Sequence, residues 1–240
     1  MSSARDTSVT EPLLSHPEAE ITPLEMVRHE NPRAIGVQAS ALLFVGVVWS
    51  IVFSSFSPLS LPLFGFHPLI QSLAILLLVQ AIVVLQRTSP SQPAAKKSAF
   101  SAHQWLNLLL VLPLFTAGAS IMWYLHDQPG TAHFISYHGI LGTAVVVAAW
   151  AQAAMGAASV WGRGRMVGGE AQGKKLWKWH RLSGYVLVVL FAVTAVLGVV
   201  ETTWASKNAS MAQTLLVVVA LALAVVALAI RIQKSKLPKL

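Results

Sequence analysis

After Arg33 the chain carries six apolar stretches, at roughly 36–57, 63–86, 103–125, 134–160, 179–200 and 211–231. At about 1.5 Å of rise per residue, each is long enough to cross a hydrocarbon core of ~30 Å as a helix. Only 11% of the residues are charged, less than half the roughly 25% of a soluble domain. The expected fold is an all-α integral membrane protein with six transmembrane helices. The 35 residues before the first stretch are polar and include Pro12, Pro17, Pro23 and Pro32. They read as a disordered tail without a cleavable signal peptide. Residues 232–240 form a second, short basic tail.

The charge pattern orients the six helices. Of 17 Lys and Arg residues, all but Lys207 fall on one side of the expected spans. The positive-inside rule puts that side, with both termini, in the cytoplasm. The net charge of +8 then reports topology, and no nucleic-acid partner is expected. Trp49, Trp123, Trp161, Trp177, Trp179 and Trp204 fall near expected helix ends, as an aromatic belt would.

The chain has no cysteine. Disulfides, thiolate metal sites, iron–sulfur clusters and covalently attached haem are therefore excluded, and histidine is the ligand left for a metal or haem. Of the eight histidines, His67, His103, His138 and His180 each stand near the expected start of a different central helix, the second to the fifth. Adjacent helices run in opposite directions. His67 and His138 therefore share the depth near the outer surface, and His103 and His180 share the depth near the cytoplasmic one. Ionisable groups inside a membrane are costly and commonly functional. Two neutral imidazoles on facing helices suit the axial positions of a haem iron, and a doubly ligated iron carries electrons. Hydrogen-bonded histidines at helix ends are the competing reading. It accounts for any one of the four but poorly for all of them, one per helix and paired by parity. Zinc is a weaker reading, because two histidines per site lack the further ligands of a tetrahedral set.

Helices four and five share the pattern H-x3-G-x13-G, from His138 through Gly142 to Gly156 and from His180 through Gly184 to Gly198. The glycine one turn after the histidine lies on its face of the helix and could admit a flat ring. Gln71 and Asn107 hold that place in helices two and three, as candidate hydrogen-bond partners of His67 and His103. Pro113, inside the third stretch, predicts a kink.

Phe66-His67-Pro68, Arg87, His103, Ser136-Tyr137-His138-Gly139 and Trp179-His180-Arg181-Leu182-Ser183-Gly184 together resemble the cytochrome b561 family over about residues 36–231. The resemblance implies a central four-helix bundle, helices two to five, holding two non-covalent b haems. His67 with His138 would ligate the outer haem iron and His103 with His180 the cytoplasmic one, with Arg87 among the cofactor-binding residues. It implies a stand-alone transmembrane oxidoreductase. Such a protein takes electrons from cytoplasmic ascorbate or a similar reductant and reduces monodehydroascorbate or a ferric chelate on the other side. Lys96, Lys97, Arg163 and Arg165 are then candidates for the donor side, and His126 for the acceptor side; Ser101 and Ala102 stand where the family has a lysine.

A histidine-based transporter or proton pathway without haem is the rival reading; against it, helices two to five lack an intramembrane Asp or Glu. The expected surroundings are a lipid bilayer and the two redox substrates, with a homodimer left open. Glu11-Pro12-Leu13-Leu14 resembles a sorting signal, and Asn208-Ala209-Ser210 is a glycosylation acceptor pattern. Both favour an endomembrane (vacuole, lysosome or endoplasmic reticulum) over the plasma membrane.

Overall fold

The structure, a computed structural model, describes residues 32–86, 93–128, 132–233 and 236–238. The expected disordered tail up to residue 31, with its Glu11–Leu14 string, lies outside the described residues, as do Arg87 and residues 234, 235, 239 and 240 of the basic tail. Six long helices follow one another: α1 Pro32–Ser55, α2 Leu63–Gln86, α3 Pro93–His126, α4 Tyr137–Val160, α5 Glu170–Val200 and α6 Met211–Ile230. All six are long and apolar enough to cross a bilayer, and the chain is a multi-pass integral membrane protein. No strand occurs among the described residues. We call the face where α1 starts and α6 ends proximal, and the opposite one distal.

α2 packs along α3 and α4 along α5, while α1 lies between α2 and α6. Phe44 and Ile51 of α1, Ile75 of α2, Val111 and Phe115 of α3, Phe191 of α5, and Val217 and Leu221 of α6 meet in the interior. Leu42, Leu109, Val147, Val186 and Leu223 point outward and are exposed. A soluble protein rarely shows so much apolar surface; here it is the lipid-facing belt. α6 is two-sided: Ala220, Ala224 and Leu228 are buried, while Leu215, Val226 and Ile230 are exposed.

Three helix starts precede the apolar stretches by about four residues or more. α1 begins at Pro32, inside the expected tail, and proline suits a first helical position. α3 and α5 begin at Pro93 and Glu170, ten residues before His103 and His180. Hydropathy marks only the part of a helix that lies in lipid, and both helices continue past it as polar turns carrying Lys96, Lys97, Lys174 and Lys175. At Pro113 the helix widens: Asn107–Val111 is a π-helical turn, closed by the Leu112 N–H on the Asn107 carbonyl. Proline supplies no N–H and crowds the carbonyl four residues back, which is Leu109, inside the widened turn.

Candidate functional site

Each of the four central histidines is held in the same way. The Nδ1 of His138 donates to the Thr194 carbonyl at 2.8 Å and that of His180 to the Gln152 carbonyl at 3.1 Å. His103 donates to Ala81 at 2.8 Å and His67 to Gly118 at 2.9 Å. A carbonyl only accepts, so the proton sits on Nδ1 and Nε2 presents a lone pair. A common register produces this. Thr194 stands fourteen residues after His180, Gln152 fourteen after His138, and Ala81 fourteen after His67. Gly118 stands fifteen after His103, and the extra residue is taken up by the π turn of α3, since such a turn is a one-residue insertion. In each antiparallel helix pair, therefore, each helix holds the other's histidine.

The register brings the imidazoles together in two pairs. The ring centres of His67 and His138 are 6.0 Å apart and those of His103 and His180 are 6.4 Å apart, with ring planes at 90° and 89°. Two imidazoles on opposite sides of one metal have centres roughly 6 Å apart, from a metal–nitrogen bond of about 2 Å and about 1 Å more to each ring centre. Both pairs fit that span. Among the described residues no three His, Asp or Glu side chains are grouped to hold a bare metal ion. Two nitrogens per site suit an iron whose remaining positions a macrocycle fills.

The glycine repeat has a packing explanation. A Cβ on Gly156 would lie 2.8 Å from Cε1 of His180, and one on Gly198 would lie 3.1 Å from Cε1 of His138. The second glycine of each helix thus makes room for the histidine of the other. The first glycines, expected to admit a flat ring, lie against the helix that anchors their histidine: Gly142 against Thr194 and Gly184 against Gln152. Gly184 also lines the proximal cavity. Asn107 Nδ2 donates to the His103 carbonyl at 2.7 Å and lies 3.4 Å from its Nδ1. Gln71 bonds the Phe115 carbonyl instead of His67.

The proximal pair lines a cavity with about 1380 Å³ of empty space, part of it open to the outside. Phe115 and Phe191, stacked with centres 4.1 Å apart, line it too, as do Trp177, Arg181, Arg231 and Lys236. Arg181 donates to the Lys236 carbonyl at 3.2 Å, and its guanidinium lies 5.1 Å from the centre of Trp177. Arg231 donates to Gln86 at 2.9 Å. Burial, with Arg181 and Lys96 nearby, pushes the Lys236 amine below its ordinary range. Of the basic residues singled out in the sequence, Lys96 reaches the cavity through Trp177, with Nζ 5.8 Å from the ring centre. Lys97, Arg163 and Arg165 are not in its wall. Arg163 sits in a left-handed turn, φ 56°, between Gly162 and Gly164. Arg181, Arg231 and Lys236 were missed as site residues. The adjacency of Arg181 to His180 was a usable signal, but nothing local shows that the end of α6 returns to this cavity.

On the distal face His126 donates from Nδ1 to the Ala132 carbonyl at 2.9 Å. Its ring centre lies 5.9 Å from that of His133, which stacks on Trp123 at 4.4 Å. His133 also lies 3.5 Å from the Asp127 carboxylate. Phe134 beside them has φ 57°, an uncommon backbone state for a bulky residue. Glu201, absent from the sequence reading, accepts from the backbone N–H of Tyr137 at 2.8 Å and of His138 at 2.9 Å.

The model of a family described as eukaryotic cytochrome b561 matches residues 66–206, more than half of the chain and all four central histidines. No curated protein matches it.

Proposed function

The chain belongs to the eukaryotic cytochrome b561 family, and on that premise we propose that it moves electrons from a cytoplasmic reductant, ascorbate or a related enediol, to monodehydroascorbate or a ferric chelate across the membrane. Haem b, the group this family binds, supplies an iron centre that takes up and releases one electron. In this reading His103 and His180 hold one haem, His67 and His138 the other. The observation that carries it is the shared register, in which four Nδ1–H groups are fixed on carbonyls and two pairs of ring centres stand 6.0 and 6.4 Å apart.

Each carbonyl fixes its imidazole as the Nδ1–H tautomer and keeps Nε2 a ligand; such partners orient and tune metal-bound histidines. An iron held by both histidines of a pair would have no position open to oxygen or substrate, which favours electron carriage over chemistry at the metal. Arg181, Arg231, Lys236 and Lys96 offer positive charge to haem carboxylates and to an anionic reductant. Arg87, which follows Gln86 in the sequence, is proposed on the family resemblance alone as a further cofactor-binding residue. Lys97, Arg163 and Arg165 add a basic surface that draws anions. His126 is the group proposed to meet the acceptor. The asymmetry of Lys and Arg supports a cytoplasmic proximal face with both termini on that side, and the Asn208-Ala209-Ser210 acceptor pattern supports an endomembrane.

The test is a reduced-minus-oxidised optical spectrum with haem quantification. Two b haems per chain are expected, with about one lost in each of His67→Ala and His180→Ala, and with ascorbate reducing the wild type. A colourless wild type after haem supplementation overturns the reading and favours a histidine-based transporter.

A further inference from the structure

The first four N–H groups of any helix lack partners within it, and α4 opens with an outer-site ligand as its second residue, His138. Here the first three N–H groups of α4 are all paired with side chains. Gly139 N–H donates to Ser136 Oγ at 3.0 Å, and Ile140 N–H makes the first regular helical bond, to the Ser136 carbonyl at 3.0 Å. Tyr137 and His138 donate to the two carboxylate oxygens of Glu201, at 2.8 and 2.9 Å. Glu201 closes the end of α5, where its own N–H bonds the Leu197 carbonyl. The same helix supplies the Thr194 carbonyl that holds the His138 ring. α5 therefore grips His138 twice, at its backbone through Glu201 and at its ring through Thr194.

The two histidine sites share one register but not one electrostatic setting. His103 and His180 lie mid-helix beside a cavity wall with Arg181, Arg231 and Lys236. His138 lies at a helix N-terminus, where the partial positive charge of the helix dipole meets the Glu201 carboxylate. Among the described residues Asp127, Glu170 and Glu201 are the only acids, and Glu201 alone bonds a central histidine. We propose that Glu201 is a positioning residue for His138 and lowers the reduction potential of the group held between His67 and His138. The proposal rests on the two-haem reading. Negative charge favours the more positive, oxidised form of the iron, so losing it makes reduction easier and raises the midpoint. Glu201 faces solvent and is screened, so the shift is modest but fixed in sign.

The test uses the full chain. Potentiometric titration of the haem-loaded protein should resolve two waves. In Glu201→Gln, which keeps the side chain's size and one acceptor oxygen, one wave should move to higher potential while the other stays. In Glu201→Ala the same wave should move at least as far. In the haem-free protein, the Tyr137 and His138 amides should exchange with solvent on the order of tenfold faster in Glu201→Ala, as expected for losing a charge-assisted hydrogen bond. An unmoved pair of waves in Glu201→Gln overturns the proposal, since a purely structural cap would leave the potential alone; an equal shift of both waves also overturns it. A wild type that binds no haem overturns the electron-transfer reading instead, and amide exchange then still decides whether Glu201 positions His138.

Discussion

Replacing Gly156 with alanine puts a methyl carbon 2.8 Å from Cε1 and 3.2 Å from Nδ1 of His180. Carbon atoms normally rest about 3.5–4.0 Å apart, so the ring must withdraw by about 0.7 Å. It cannot do so freely, because its Nδ1 is bonded to the Gln152 carbonyl on the same helix as Gly156. Overpacking costs about 1–3 kcal/mol, and weakening the hydrogen bond about 1 kcal/mol more. The better helix propensity of alanine returns up to about 1 kcal/mol. The net penalty, about 1–3 kcal/mol, falls on the His103/His180 site and should weaken haem retention there by roughly five- to 150-fold. The assay is haem content and optical spectrum across a dilution series, beside the wild type. Gly198→Ala, with 3.1 Å to His138, should weaken the other site by less. Gly46→Ala, where an added Cβ has no heavy atom within 4 Å, should lose nothing. Full retention of both haems in Gly156→Ala, or equal loss in Gly46→Ala, would refute the reasoning.

Three further outcomes follow from the geometry. Arg181→Ala removes a cation from the proximal cavity wall and should raise the KM for ascorbate several-fold, most at low ionic strength, whereas Lys97→Ala, outside that wall, should change it by much less; steady-state reduction assays at two salt concentrations separate them. Phe115→Ala empties a buried ring stacked at 4.1 Å on Phe191 and should destabilise the bundle by about 3–5 kcal/mol, seen as a lower Tm in detergent, while Phe115→Leu should cost less. Ser210→Ala breaks the capping box in which Ser210 and Gln213 bond each other's backbone N–H at the start of α6; a loss of about 1 kcal/mol in stability is expected, with the haem spectrum unchanged.

The expected span Leu63–Gln86 coincides with α2, because its apolar run begins and ends with the helix. α3 and α5 were legible only where they are apolar; their first ten residues are helical but carry the charges of an interface, which hydropathy does not register. The π turn before Pro113 has the same cause: the sequence marks where the backbone cannot continue regularly but not how it relaxes. The glycine repeat was visible, yet its meaning was not, because each second glycine makes room for a residue of the neighbouring helix.

By itself the sequence determined six spans, the exclusion of thiolate chemistry and the parity that puts His67 with His138 and His103 with His180. These follow from chain length, composition and the alternation of helix direction, which are properties of a one-dimensional string. Tertiary structure decided which carbonyls hold the imidazoles, which cations line the proximal cavity and which carboxylate caps the start of α4. Arg231 lies 145 residues from Gln86, and Glu201 lies 63 residues from His138. Such contacts depend on helix rotation and register, which close packing between helices sets and no local pattern records.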